Sequence, residues 1–359
     1  NWQPYNKLKK PGEVRLLAYQ GIAHGADSSL YFQMRQSIGG QEKFHGAIIS
    51  HAGTDDTRIF REFEQLGSEL HQLGGQILDA RIKADVGILL DWDNWWALEL
   101  CSGPTKDMDY LLQVAHYYRA FHKQNIAVDL VKFTSAFDSY KILVAPLVYM
   151  IKPGLAEHLI QFVNNGGTLI GTYMTGLADE TDRCIWGAYP GPLRELFGLW
   201  VEETDALYPE EKNQIIMETG EHQTYTCSFL CDRLRLERAK VIGTYGSDFY
   251  AGEACVTENA YGKGKAYYLG TQPDEEFLKV FIENVCQEEG VHPTLETEEG
   301  IEVTCRENEN GKFYFILNHN QAEKQVILPE GKWKNLIGKQ PEDGKLHLKS
   351  RDVAVLKYE

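Results

Sequence analysis

The alternation of apolar and polar positions divides the chain into three stretches of different character. In the first, Val14, Leu17 and Ala18 share one face of a helix expected over residues 11–26 and entered through Pro11. Ser29-Leu30-Tyr31-Phe32-Gln33-Met34-Arg35 alternates loosely and predicts a strand, followed by Gly39-Gly40 and a polar segment to Asp56. Ile59, Phe60, Phe63, Leu66, Leu70 and Leu73 then recur at helical spacing, so residues 56–73 predict an amphipathic helix stopped at Gly74-Gly75. From Ala84 the pattern becomes a regular alternation. Apolar runs at 85–90, 128–131, 141–145 and 168–171 predict buried strands, separated by helices around 108–124 and 153–164. Strands apolar on both faces imply a parallel sheet covered by helices on both sides. Strand-rich sequence follows from about 200 to 270, then a helix from Asp274 to Glu289. Residues 294–359 alternate throughout, with a hairpin signal at Asn310-Gly311, and predict a small antiparallel sheet. The expected domains are therefore 1–83, 84–293 and 294–359.

Length and charge sharpen this division. The 359 residues allow two or three domains, and 43% hydrophobic content is that of a chain with a buried core. Net charge is −16, and most of the excess acid falls in the middle stretch, where 31 acidic residues face 16 basic ones. Without clustered Lys and Arg, a nucleic-acid partner is not expected. Nor is a membrane one, because no run of 18 apolar residues occurs. Seven cysteines, an odd number scattered from Cys101 to Cys305, argue against a disulfide framework and for a reducing, cytoplasmic setting. The chain opens on Asn1-Trp2-Gln3-Pro4, with neither Met nor a signal-peptide pattern, and is expected to begin inside a longer protein.

Several short strings carry a more specific message: Asn1-Trp2-Gln3-Pro4-Tyr5-Asn6, Ala23-His24-Gly25-Ala26-Asp27, Tyr31-Phe32-Gln33-Met34-Arg35-Gln36, Gln41-Glu42-Lys43-Phe44-His45-Gly46 and Asp93-Asn94-Trp95-Trp96-Ala97-Leu98-Glu99. In this order and spacing the chain resembles the C-terminal half of glycoside hydrolase family 42 β-galactosidases. The resemblance implies the end of a (β/α)8 catalytic barrel, then an amidotransferase-like parallel α/β domain that builds a homotrimer, then a small antiparallel β domain. It implies retaining hydrolysis of terminal β-D-galactosides by two glutamates and no cofactor. Both glutamates are expected upstream of Asn1, so no catalytic residue and no metal site is expected among these 359 residues, and the chain alone is expected to be inactive. What carries over is sugar binding by Trp2, Phe32, Glu42 and His45. Aromatic faces pack on the C–H side of a pyranose, while a carboxylate and an imidazole hydrogen-bond its hydroxyls.

Taken alone, each of these residues has a plainer reading. Glu42 and His45 would be solvated loop residues, Trp2 an ordinary core aromatic, and Phe32 a strand residue facing a core. His24 and Arg35 suit buried ion-pair or hydrogen-bond roles better than substrate contact. Cys227 and Cys231 lack a second Cys or His pair at zinc spacing and read as free thiols. Gly262-Lys263-Gly264-Lys265 lacks the phosphate-loop pattern and reads as a hairpin turn. Trp92, Trp95 and Trp96 suit an oligomer contact or internal packing. An alternative function is a class I amidotransferase-type enzyme in the middle domain. That chemistry needs a nucleophilic cysteine on the tight turn after a strand, where this chain has Pro146-Leu147-Val148-Tyr149-Met150. A non-catalytic carbohydrate-binding or oligomerisation module is the further alternative.

Overall fold

A computed structural model describes residues 3–218 and 223–359. They form two compact units, residues 84–293 on one hand and 1–83 together with 294–359 on the other. In the latter, helix α1 spans Glu13–Ala23 and helix α2 Arg58–Ile77. The Thr57 side chain caps α2 by accepting from the Phe60 N–H at 3.2 Å. The helix runs through Gly74-Gly75 instead of stopping there. Ile77 packs against the core and Asn308 Nδ2 donates to the Gln76 and Leu78 carbonyls at 2.9 and 2.8 Å. These contacts outweigh the roughly 1 kcal/mol that each helical glycine costs. The segment 29–35 is not the strand its alternation predicts. It makes one parallel bridge, Arg35 to Ile49, and leaves Leu30, Phe32 and Met34 exposed. A strand needs a partner along its length, and here only residues 33–35, at its end, meet one.

The 84–293 unit is built on one large sheet. In chain order its elements are β1 (Val86–Leu89), α3 (Trp92–Leu100), α4 (Tyr110–His122), β2 (Val128–Val131), β3 (Ile142–Ala145), β4 (Met150–Ile151), α5 (Leu155–Asn164), β5 (Thr168–Thr172), β6 (Ala178–Asp179), α6 (Arg194–Phe197), β7 (Leu199–Ala206), β8 (Asn213–Met217), β9 (Thr224–Leu236), β10 (Lys240–Tyr245), β11 (Ala254–Tyr261), β12 (Gly264–Leu269), β13 (Thr271–Pro273) and α7 (Glu275–Glu288). Strands β2, β1, β3, β5 and β12 lie side by side and parallel, and β11, β10, β8, β9 and β13 continue the sheet antiparallel. β1, β3 and β5 are buried along their whole length. One face of the sheet packs Val114, Tyr117 and Phe121 of α4 with Phe277 and Phe281 of α7; the other packs Leu155, Leu159 and Val163 of α5 with Leu196 and Phe197 of α6. The expected turn at 262–265 joins antiparallel β11 and β12, with Tyr261 opposite Gly264. Helix α3 lies in a stretch read from sequence only as a motif. Asp91 creates it, its carboxylate accepting from the Asp93 and Asn94 N–H groups at 3.0 and 3.1 Å.

The last six strands are β14 (Ile301–Asn308), β15 (Gly311–Asn318), β16 (Lys324–Ile327), β17 (Trp333–Asn335), β18 (Lys345–Leu348) and β19 (Val353–Tyr358). Antiparallel β14 and β15 meet at the Asn310-Gly311 turn, and the sheet runs β14-β15-β19-β17. Phe313, Phe315, Leu317, Val353 and Val355 on one face share a core with Leu16, Tyr19, Leu66 and Leu73 of α1 and α2. Ile316, Ala354 and Leu356 on the other face meet Val326 of β16 and Leu346 and Leu348 of β18. Polar ties reinforce the first packing. Arg306, 1% exposed, donates to the carbonyls of Ile22, Ala26 and Ala80, and Arg15 is held by Glu69 at 2.7 Å and Asp352 at 3.0 Å.

Candidate functional site

The glycine-rich loop after residue 31 folds into a small, cross-braced unit. Backbone bonds from Gln36 and Ile49 N–H to the Ile49 and Met34 carbonyls, at 2.9 and 2.8 Å, pin its two arms together. The Gln36 side chain braces the tip. Its Nε2 donates to the Lys43 and His45 carbonyls at 3.1 and 2.9 Å, and its Oε1 accepts from the His51 N–H at 3.0 Å. Gly40, at φ 68°, admits the chain into a single 3₁₀ turn, Gln41–Phe44. That turn places Glu42 three residues before His45, whose N–H donates to the Glu42 carbonyl at 2.9 Å.

Three of the four residues expected to bind sugar are therefore brought together, and Trp2 lies outside the described residues. The Phe32 ring stands edge to face with the His45 imidazole, centroids 5.6 Å apart at 80°. His45 is buried while Phe32 and the Glu42 side chain remain open to solvent. An exposed aromatic, an exposed carboxylate and a packed imidazole on one braced loop can stack on a sugar ring and hydrogen-bond its hydroxyls. His24 makes a structural contact, its Nε2 2.5 Å from the buried Glu302 carboxylate, which His319 also meets at 2.7 Å. Arg35 is exposed.

In the 84–293 unit, the turn after β3 resembles a nucleophile elbow in backbone alone. Leu147 sits there in left-handed conformation, φ 44°, and is fully buried. Its N–H donates to Thr172 Oγ1 at 2.8 Å. Asn94, 0% exposed, ties α3 to this turn, donating to the Leu147 carbonyl and accepting from the Met150 N–H, both at 2.9 Å. A leucine there offers no nucleophile. Cys227 and Cys231 are buried thiols on β9, and contact with Cys231 together with burial pushes the Cys227 thiol well up. Of the three clustered tryptophans, Trp95 packs against the core and bonds Glu99 through Nε1 at 2.7 Å, whereas Trp92 and Trp96 stay half exposed.

A family model described as "Beta-galactosidase trimerisation domain" matches residues 84–292. "Beta-galactosidase" and "Beta-galactosidase C-terminal domain" models match 1–73 and 300–358. The chain belongs to the glycoside hydrolase family 42 β-galactosidases. It is 46% identical over 360 residues to the β-galactosidase BgaB of Geobacillus sp. and 44% identical over 359 to BgaP of Planococcus sp.. Each match covers 99% of this chain and 53% of the relative, so this family 42 chain spans about half the length of those relatives. The crystal structure of the β-galactosidase from Bacillus circulans sp. alkalophilus superposes with a TM-score of 0.98 at 42% identity, covering 100% of this chain and 54% of that one. The model boundaries at 84 and 292 coincide closely with the 84–293 unit.

One titratable group of the family 42 chain has no signal in its sequence. Asp232 on β9 is fully buried and accepts from Thr204 Oγ1 at 2.6 Å, Tyr268 Oη at 2.8 Å and Tyr189 Oη at 3.1 Å. Burial raises its carboxyl from 3.8 to about 6, and the three hydroxyl donors limit that rise. Its partners come from β7, β12 and the loop before α6, which only the folded sheet unites.

Proposed function

We propose that this chain is part of a retaining β-galactosidase that removes terminal β-D-galactose from lactose-like or oligomeric galactosides. Trp2, Phe32, Glu42 and His45 line the galactose pocket, and the two reacting glutamates lie on barrel residues other than these 359. Retention needs those glutamates about 5–5.5 Å apart, one as nucleophile and one as acid and then base. Phe32 and His45 position the ring against them, and Glu42 fixes it by hydrogen bonds that tighten as the glycosidic bond breaks. The observation that carries this reading is the convergence of Phe32, Glu42 and His45 on one braced loop in a chain of this family. The 84–293 unit serves to assemble subunits, as a homotrimer in the cytoplasm. The description of its family model and the seven free thiols support this. No helix of the described residues is long and apolar enough to cross a membrane. Leu147 at the elbow position gives an amidotransferase activity no nucleophile.

Hydrolysis of a nitrophenyl β-galactoside tests the division of labour. The 359-residue chain alone is expected to show no turnover above buffer. The polypeptide extended upstream of Asn1 by its own coding sequence is expected to turn over, with His45→Ala lowering kcat/KM by about tenfold or more. Turnover by the 359-residue chain that Glu42→Gln abolishes would make Glu42 a catalytic residue and overturn the proposal. An inactive extended polypeptide would overturn the activity itself.

A further inference from the structure

The four-stranded sheet of residues 301–358 has one face covered by α1 and α2. Its other face is covered by the β16–β18 pair over Ile316, Ala354 and Leu356. That cover stops short of one end. There Tyr314 of β15, Trp333 of β17 and Tyr358 of β19, with Leu295, line an open pocket of about 340 Å³. Lys312 and Glu330 stand at its rim. The volume lies near the lower end of the range of about 300–1,000 Å³ found for small-ligand sites.

The pocket's aromatic wall is held in place by the fold. Trp333 stands between the two tyrosines, its ring 5.0 Å from Tyr314 at 78° and 4.9 Å from Tyr358 at 65°. Trp333 pairs in register with Tyr358, and its Nε1 donates to the Pro329 carbonyl at 2.9 Å, which closes the turn from 329 to 333. Within that turn Gly331 lies so close to the Tyr358 ring that any Cβ would overlap it. The indole is therefore satisfied, the tyrosine ring is wedged, and Tyr358 still keeps 44% of its surface exposed.

We propose that this pocket binds a neutral hexopyranose, the non-reducing galactose of an oligosaccharide being the sugar chosen on the strength of the function proposed above. Three ring faces and edges suit the C–H side of a pyranose. One ammonium and one carboxylate at the rim can donate to and accept from neighbouring hydroxyls. Glu307, 3.8 Å from the Lys312 ammonium, offsets it, so the rim carries no net positive charge to draw an anion. No residue of it belongs to the Phe32–His45 loop, so the two can be separated by mutation.

Saturation-transfer NMR on the 359-residue chain, with galactose and lactose as probes and phosphate as an ionic control, tests the assignment. Saturable transfer at millimolar sugar is expected, concentrated on the C–H protons of one ring face, with none to phosphate-competed signal. Trp333→Ala is expected to weaken binding by about tenfold or more and Trp333→Phe, which keeps a ring, by only a few fold. Glu330→Gln, at an exposed rim position that does not bear on folding, is expected to weaken it severalfold. Phe32→Ala is expected to leave the Trp333-dependent part unchanged. Transfer lost in Phe32→Ala but unaltered in Trp333→Ala and Glu330→Gln would overturn this proposal while leaving the galactose-pocket reading intact. No transfer at tens of millimolar sugar would overturn it too, as would a Trp333-dependent self-association that competes with sugar.

Discussion

Asp232 shows how much one residue's chemistry depends on where the chain puts it. In sequence it sits between Cys231 and Arg233 on an alternating strand, where an aspartate reads as solvated. In the fold it is fully buried among three hydroxyl donors, with its carboxyl raised from 3.8 to about 6. A raised carboxyl contributes most to stability below its unfolded value and loses that contribution as pH climbs through its folded value. Relative to Asp232→Asn, the native chain is therefore expected to lose up to about 3 kcal/mol between pH 4 and pH 7, as pH climbs from 3.8 to about 6 at about 1.4 kcal/mol per tenfold change in proton activity. Urea midpoints of the two proteins across that range measure the difference, and parallel curves would refute it. Phe32, Glu42 and His45 were legible in a different way. Nothing in their spacing alone separates a ligand from a loop residue; the surrounding strings mark them as candidates, and the fold sets Phe32 against His45 and Glu42 on the same loop.

At the level of elements, periodicity predicted most helices well because their apolar stripes bury against the sheet. It failed where single tertiary contacts decide. α2 runs past two glycines because Asn308 and the core hold its last turn. The 29–35 segment alternates like a strand yet pairs only at its end, where residues 33–35 meet residues 48 and 49. α3 forms because Asp91 caps it, and Asn94 then fastens it to the turn after β3. Asn94→Leu keeps the volume but leaves the buried Met150 N–H without its acceptor and the Leu147 carbonyl with only the Tyr149 N–H, at 2.7 Å. It is expected to destabilise the 84–293 unit by about 2 kcal/mol or more, read as a lower denaturant midpoint at unchanged slope. A shift below 0.5 kcal/mol would show that α3 is held by other contacts.

For the whole molecule, the informative fact is that the two ends of the chain share a core. Leu16, Tyr19, Leu66 and Leu73 bury against Phe313, Phe315, Val353 and Val355, and the Arg15–Glu69–Asp352 and Arg306 ties cross the same junction. The 84–293 unit has its own two cores. Deleting residues 294–359 is therefore expected to leave 84–293 folded while residues 13–77 lose their apolar partner. Limited proteolysis should cut within 13–77 at least about tenfold faster in the deletion, while the 84–293 fragment survives. Equal protection of residues 13–77 in both chains would overturn that coupling.

The linear pattern by itself determined the parallel α/β domain, the terminal antiparallel sheet, the Asn310-Gly311 and 262–265 turns and, through its motifs, the family. These depend on residues near one another in the chain, where periodicity, capping and turn chemistry act. Only the tertiary structure decided that Asp232 is buried among Tyr189, Thr204 and Tyr268, that Leu147 occupies a strained elbow, and that Tyr314, Trp333 and Tyr358 line one pocket. Each of these joins residues separated by tens of positions, and burial and contact between such residues are set by packing, which local sequence does not encode.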